Sequence, residues 1–225
     1  MGVYVTLRLA ELGEGVVLAP ERFDPRRQSL PASPRTLGDY AEVITDNVSG
    51  QSLDPGAAVL ILDTTHAYDG FVIFRHEPVA ARELGSAKRR LQPGDVIISR
   101  LRPYLRQVAY VDPQLFALAP GGNQVAASTE FFVIRGRNGF DAACLVPFLL
   151  SAQVQSALAA GQEGGHHPRF ARELLLSLSV PDGALLSPFE TASQMRALAD
   201  GLRRSLQGCR ILVRSVDAAI SESAF

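Results

Sequence analysis

The sequence predicts an α+β protein: a mixed β-sheet domain with a few packed helices, followed by a long coiled-coil-like α-helix at the C-terminus. Three observations predict it. Short β-branched runs bounded by Gly, Pro, Asn and Asp recur between Ala57 and Gly136. Helical spacing of apolar residues takes over after Phe140. The last stretch, from about Phe189, contains no proline and repeats its apolar positions every seven residues. With 225 residues and 47% hydrophobic content, the chain can bury a sizeable core.

The elements follow in order. "MGVYVTLRLAEL" reads weakly as a strand, and "ERFDPRRQSLPASPRT" as a proline-rich surface connection. In "TLGDYAEVI", Leu37, Tyr40, Ala41 and Ile44 have helical spacing behind Thr36, a candidate N-cap. "DNVSGQSLDPG" is turn-rich. "AAVLILDTT" is a buried strand, and "GFVIFRHEPV" another, stopped by Pro78. Pro93-Gly94-Asp95 is turn chemistry leading into "VIISR". Residues 112–124 read as a long loop, and "AASTEFFVIRG" as a strand in which Phe131, Val133 and Arg135 alternate with Phe132 and Ile134.

Helical signals come next. "FDAACLVPFLLSAQVQSALAAG" carries Leu145, Leu149, Ala152 and Leu158 on one apolar stripe that ends at Gly161. "GQEGGHHPRF" is a flexible glycine-rich loop, and "ARELLLSLSVP" a short apolar element ending at Pro181. In the terminal helix Met195, Leu202, Cys209 and Val216 are seven apart, with Leu198, Ser205, Leu212 and Ala219 between them. Ala199, Leu206, Val213 and Ile220 widen the stripe. Such a period favours a helix packed lengthwise on another helix, in a dimer or with a partner. The alternative is a terminal helix folded back on its own domain.

Charge is unevenly spread. The formal net charge is −1, yet Arg82 to Arg106 holds seven basic residues against two acids, +5 locally and −6 elsewhere. That polarity suits a polyanion-docking surface. Lys88 is the sole lysine, and arginine is the better side chain for bidentate contacts to guanine edges and phosphates. Arg100, Arg102, Tyr104 and Arg106 crowd between two β-branched runs. If extended, Arg100, Arg102 and Tyr104 share a face; if Pro103 makes a turn, they project from a tip. His166, His167 and Arg169 form a second donor cluster. A basic hairpin with structural ion pairs, such as Arg106 to Asp95, is the competing account.

Enzyme signatures are scarce. There is no P-loop, no G-x-G-x-x-G after a strand and no G-x-S-x-G elbow. "HEPVA" lacks the second histidine of a zinc-protease helix. His166 and His167 are adjacent and would need distant partners to hold a metal, so no metal site or cofactor is expected. Cys144 and Cys209 suggest no disulfide framework. No apolar run is long enough for a membrane helix and no signal peptide is visible, so the expected location is cytoplasmic.

An ordered set of segments resembles one family. "LQPGDVIISRLRPYLRQVAYV" is similar to the L-x-x-G-D-[IV]-L-[IL]-S-R strand and turn of target-recognition domains in the DNA specificity subunits of type I restriction–modification systems. "TLGDYAEVI" resembles the start of such a domain, "ASTEFFVIRG" its next strand and "LVPFLLSAQVQSAL" its helix. "GGHHPRFARELLLSLSVP" and "SPFETASQM" resemble the segments leading into the family's spacer helix. The resemblance covers about residues 36–222. It departs where His166 and His167 replace small hydroxyl residues, and where Glu190 and Gln194 are not adjacent. Full specificity subunits carry two target domains and two spacer helices; this chain has one of each.

The resemblance implies three parts: residues 1–35, an extension without an assigned role; 36–186, a partly curled DNA target-recognition domain; and 187–225, a spacer or dimerisation helix. It implies double-stranded DNA and a DNA methyltransferase (modification) subunit as partners, a homodimer through the terminal helix, and no catalysis by this chain. The candidate DNA contacts are Arg100, Arg102, Tyr104, Arg106, His166, His167 and Arg169. The candidate pairing residues are Met195, Leu198, Leu202, Leu206, Leu212, Val216 and Ile220. Two rivals stay open: a scaffold of a defence complex that reads no DNA, and a hydrolase using His66 or His166 with Asp63 or Asp69.

Overall fold

Thr36 opens a single helical turn, α1 (Leu37–Tyr40), in place of the longer helix that the apolar spacing predicts. In the computed structural model, which describes residues 6, 8, 30–54, 56–74, 78–118, 124–163 and 167–222, the backbone becomes extended at Ala41, with φ −146°. β1 (Ala41–Ile44) follows and pairs antiparallel with residues 133–136. Val43 and Ile44 gain ladder partners there, and this pairing overrides the helical spacing. The Asp39 carboxylate accepts from the Thr36 N–H at 2.6 Å and closes the turn. Of the strand expected at the N-terminus, all but Thr6 and Arg8 lies outside the described residues.

Short strands then come in quick succession: β2 (Asn47–Val48), β3 (Ala58–Leu62), β4 (Ala67–Tyr68), β5 (Gly70–Val72), β6 (Val79–Ala80), β7 (Lys88–Arg90), β8 (Val96–Ser99) and β9 (Val108–Tyr110). The expected strand over "GFVIFRHEPV" is two strands, β5 and β6, that join different sheets. The expected loop over 112–124 contains the helical turn α2 (Gln114–Ala117); β10 (Gln124–Ala127) and β11 (Phe131–Gly136) follow. One sheet has six strands in the order β1-β11-β8-β9-β5-β4, the other five in the order β2-β7-β10-β3-β6. Both mix parallel and antiparallel pairs: β5 is parallel to β9 and β10 parallel to β3. The fold is α+β.

Strict alternation explains how the layers stack. On β8, β9 and β11, Val96, Ile98, Val108, Tyr110, Phe132 and Ile134 enter the core beneath the helices. Their neighbours Ile97, Ala109, Phe131 and Val133 enter a second core, shared with Leu60, Leu62, Val125 and Ala127 of the five-stranded sheet. The central strands are therefore buried on both faces and read as continuous apolar runs. Each fully buried Leu, Ile or Phe contributes about 1.5–3 kcal/mol, so this doubly covered layer carries much of the stabilisation among the described residues.

The long helix expected over residues 140–161 is two, α3 (Leu145–Leu150) and α4 (Ala152–Ala160), with a bend of 76° between them. Ser151 makes the break: it is extended (ψ 147°), and its hydroxyl accepts from the Val154 N–H at 3.4 Å. Gln155 donates to the Leu149 carbonyl at 2.6 Å across the corner. Gly161 ends α4, where a side chain would run into Leu174. A small hairpin, β12 (Gln162–Glu163) and β13 (Arg169–Phe170), leads to α5 (Arg172–Leu176) and then to α6 (Pro188–Glu222), 35 residues long. Among the described residues no single helix is long and apolar enough to cross a membrane.

Candidate nucleic-acid interface

Between β8 and β9 the chain makes a compact tip rather than an extended run. The Ser99 N–H donates to the Gln107 carbonyl at 2.9 Å, closing its base. Arg102 and Arg106 both adopt left-handed backbone, with φ 45° and 53°. Pro103 starts a single 3-10 turn between them, in which the Leu105 N–H donates to Arg102 O and the Arg106 N–H to Pro103 O. Non-glycine residues in this region carry strain on the order of 1–2 kcal/mol each, which the buried strands below must offset. The tip is a hydrogen-bonded bracket.

The bracket presents its side chains unequally. Arg102 is exposed and has no ion pair among the described residues, while Tyr104 is 70% exposed. Arg100 lies lower, its guanidinium 5.3 Å from the Phe132 ring centroid and its Nε buried with no partner. Arg106 acts as a strut: Nε donates to Asp69 Oδ1 and NH1 to the Leu150 carbonyl, both at 2.8 Å. The pairing with Asp95 that the sequence suggested does not form, because Asp95 opens β8 at the opposite end of the sheet. There Asp95, 1% exposed, accepts a two-pronged contact from Arg135 at 2.8 and 2.9 Å.

The second donor cluster lies against the first. Leu101 and Arg169 form an isolated β-bridge, and the Phe170 N–H donates to Arg100 O at 3.3 Å. Two segments nearly seventy residues apart thus share one end of the six-stranded sheet. Arg169 is not unengaged there. Its Nε and NH2 grip Glu130 at 2.8 and 2.5 Å, and NH1 donates to the His167 carbonyl at 2.9 Å. This grip holds the Glu130 carboxyl below the usual carboxylate range and raises Arg169 in turn. His167 is exposed; His166 lies outside the described residues.

Two residues of this edge escaped the sequence reading. Glu130 is one. Tyr68, 59% exposed, is the other. Its partner Phe71 faces it across an Asp69-Gly70 turn with φ 46° and 97°, the two-residue hairpin that Asp-Gly favours. "YDGF" was the available signal. The basic run, by contrast, does not form one patch. Lys88, Arg89 and Arg90 sit on β7 of the other sheet, where Arg89 donates to Asn47 at 2.9 Å and Arg90 pairs with Asp46 at 3.0 Å.

Of the rival catalytic groups, His66, Asp63 and Asp69 are engaged within the fold, and His166 lies outside the described residues. His66 is 7% exposed with its ring 5.2 Å from Phe74, and its Nδ1 accepts the Asp63 N–H at 2.9 Å. Asp63 caps the turn it opens by accepting from Thr65 N–H at 2.9 Å, and Asp69 is held by Arg106.

α6 is docked along its first half and exposed along its second. Ala192, Met195 and Ala199 are buried in the main core. Met195, placed by its heptad position on the pairing stripe, thus packs on the chain's own domain. Arg203, its side chain 10% exposed, donates through NH2 to Asp112 Oδ2 at 2.6 Å and to the Val72 carbonyl at 3.2 Å. Arg196 pairs with Asp141, Gln114 donates to Asp200 at 3.0 Å, and Arg210 donates to the Phe74 carbonyl at 2.7 Å. Residues 207–221 are all exposed. Leu198, Leu212, Val216 and Ile220 are 58%, 68%, 56% and 65% exposed, while Leu202 and Leu206 are half-buried. At 100° per residue this stripe lies about a quarter turn from the docked face. The stripe leaves apolar side chains of α6 in water over the second half of the helix.

No protein-family model matches the chain, and no curated protein is similar to it in sequence. Solved structures do match. One is a chain of a type I R-M system, from a study of its complex assembly and conformational transition, with TM-score 0.54 and 20% identity over 83% of this chain and 47% of that one. Another is the HsdS subunit from Thermoanaerobacter tengcongensis, with TM-score 0.53 and 19% identity over 84% of this chain and 47% of that one. The chain spans about half the length of the solved chains it matches, and the likeness establishes the fold they share.

Proposed function

We propose that this chain is the sequence-reading subunit of a restriction–modification or related defence system, binding double-stranded DNA and directing a DNA methyltransferase to its target. The observation that carries the reading is the meeting of two separately encoded clusters, the Arg102–Tyr104 tip and the His167–Arg169 strand, at one sheet end through the Leu101–Arg169 bridge. The fold shared with HsdS supports it. Arg102 offers the fork that recognises guanine edges and phosphates, and Tyr104 an exposed ring beside it. Arg100, Arg106 and Arg169 hold the edge in shape, with His166 and His167 completing the candidate contact set. The chemistry belongs to the methyltransferase partner, with S-adenosylmethionine, and none to this chain.

Residues 36–186 read DNA in this proposal, and 187–225 space two readers apart. Two copies pair through Leu198, Leu202, Leu206, Leu212, Val216 and Ile220. A 35-residue helix is about 50 Å long, enough to hold two reading edges over separate half-sites. A specific observation favours a second reading, a scaffold that reads no DNA: Arg106 and Arg169 are already paired with the chain's own acids. Titrating duplex DNA against the full-length protein over a salt series separates the two. A DNA reader loses affinity steeply with salt, and Arg102→Ala flattens the log–log slope by about one unit or weakens one base preference by about 1–3 kcal/mol. A wild-type protein indifferent to duplex, alone and with its methyltransferase, leaves the scaffold.

A further inference from the structure

We infer that Glu130 is an internal competitor of DNA phosphate: its carboxylate occupies Arg169 beside Arg100, and so keeps this edge from gripping DNA of arbitrary sequence. The inference rests on the DNA-reading proposal and adds a residue that lowers non-specific affinity. The guanidinium fork fits a carboxylate and a phosphate with the same two-pronged geometry, so the two compete for one site. Glu130 engages both Nε and NH2 of Arg169, leaving only NH1, which is turned to the His167 carbonyl.

Glu130 is built to stay. Its N–H donates to Ser128 Oγ at 3.2 Å, and its carbonyl accepts the Arg100 N–H at 2.9 Å. The main chain is thereby fixed on both sides while the carboxylate remains at the surface. The side chains of Arg169 and Glu130 are 36% and 28% exposed. A pair that open to water is screened and weakly held, so a well-placed phosphate can displace it. The same carboxylate also carries negative charge toward Arg100, whose field acts on Glu130. A phosphate arriving without the accompanying base contacts meets a neutralised Arg169 and a like charge. A duplex that also engages Arg102 and Tyr104 has further contacts with which to open the pair.

The test uses a random-sequence duplex and the full-length protein across a salt series, with thermal melting as the control for folding. Glu130→Gln keeps the shape of the side chain and removes its charge. It is expected to tighten random-duplex binding about 3–10-fold at low salt and to steepen the log–log slope by about one unit. Adding Arg169→Gln should return both to wild-type values within about twofold, since the double variant is as neutral here as the ion pair it replaces and a contact that is not made cannot be lost. Glu130→Gln binding no tighter than wild type overturns the inference, and so does the double variant losing a full phosphate contact relative to wild type. The double variant decides the matter even if Glu130→Gln melts early. A wild type that binds duplex while Glu130→Gln changes nothing removes this inference alone. A wild type with no salt-dependent binding removes the DNA-reading proposal and this inference with it.

Discussion

Replacing Asp112 with Asn would strand a guanidinium inside the protein. Arg203 reaches from α6 into the sheet domain, where its side chain is 10% exposed and that of Asp112 3% exposed. Removing one partner of a buried pair typically costs about 3–5 kcal/mol. Three details lower that figure here. Arg203 NH2 keeps the Val72 carbonyl at 3.2 Å, Asp112 Oδ1 and Arg203 Nε already lack partners, and Asn still offers an acceptor. A destabilisation of about 2–3 kcal/mol is expected, and at about 2–4 °C per kcal/mol for a chain of this size Tm should fall by about 4–12 °C. The apolar pair Asp112→Leu with Arg203→Met should recover most of the loss, since neither charge is then left buried. Circular-dichroism melts of Asp112→Asn, of Asp112→Leu and Arg203→Met singly, and of the double variant read this directly. Single variants that shift Tm by less than about 2 °C, or a double variant whose loss equals the sum of its parts, would refute the account of how α6 is anchored.

Other predictions concern the free half of α6, the thiols and pH. Leu212→Asp with Val216→Asp should halve the mass measured by sedimentation and leave a monomer that still melts cooperatively, because both lie beyond the docked segment; a wild type already monomeric at micromolar concentration counts against pairing. Cys209 is exposed, whereas burial pushes the Cys144 thiol up to about 11, so a thiol reagent should label one cysteine in the native protein and two after unfolding. Rapid labelling of both in the native state would contradict the core packing. Glu130 is held below the usual carboxylate range mainly by its hydrogen bonds from Arg169, so its contribution is present at neutral pH and lost as pH falls through the lowered value. The Tm gap between wild type and Glu130→Gln should therefore close on acidification; a gap that widens would contradict the pairing.

The middle layer was legible because it obeys one rule. Val96 to Ser99, Val108 to Tyr110 and Phe131 to Gly136 alternate between two cores, and β-branched runs between turns announce such strands. The tip was legible for a related reason: Pro103 beside a strand end favours a turn. Breaks made by a single capping residue were not. Ser151 divides an apolar stripe whose spacing is unbroken on either side, and Ala41 leaves α1 only because a strand some ninety residues later offers it partners. Glu130 went unread for the same reason, since its nearness to Arg169 depends on β11 pairing with β8 and on a bridge at Leu101. Heptad spacing located α6 and its exposed stripe, but it could not say that Met195 turns inward, because two apolar faces overlap at that position.

The left-handed backbone at Arg102 limits what evolution can write there. Branched side chains such as Val, Ile or Thr are poorly tolerated at that φ, and Asn is among the few side chains that adopt it readily. In a duplex groove arginine favours guanine and asparagine favours adenine. Under the proposed DNA reading, the bracket is a socket with a short alphabet, in which a change of target letter needs one codon substitution and no rebuilding of the scaffold beneath it.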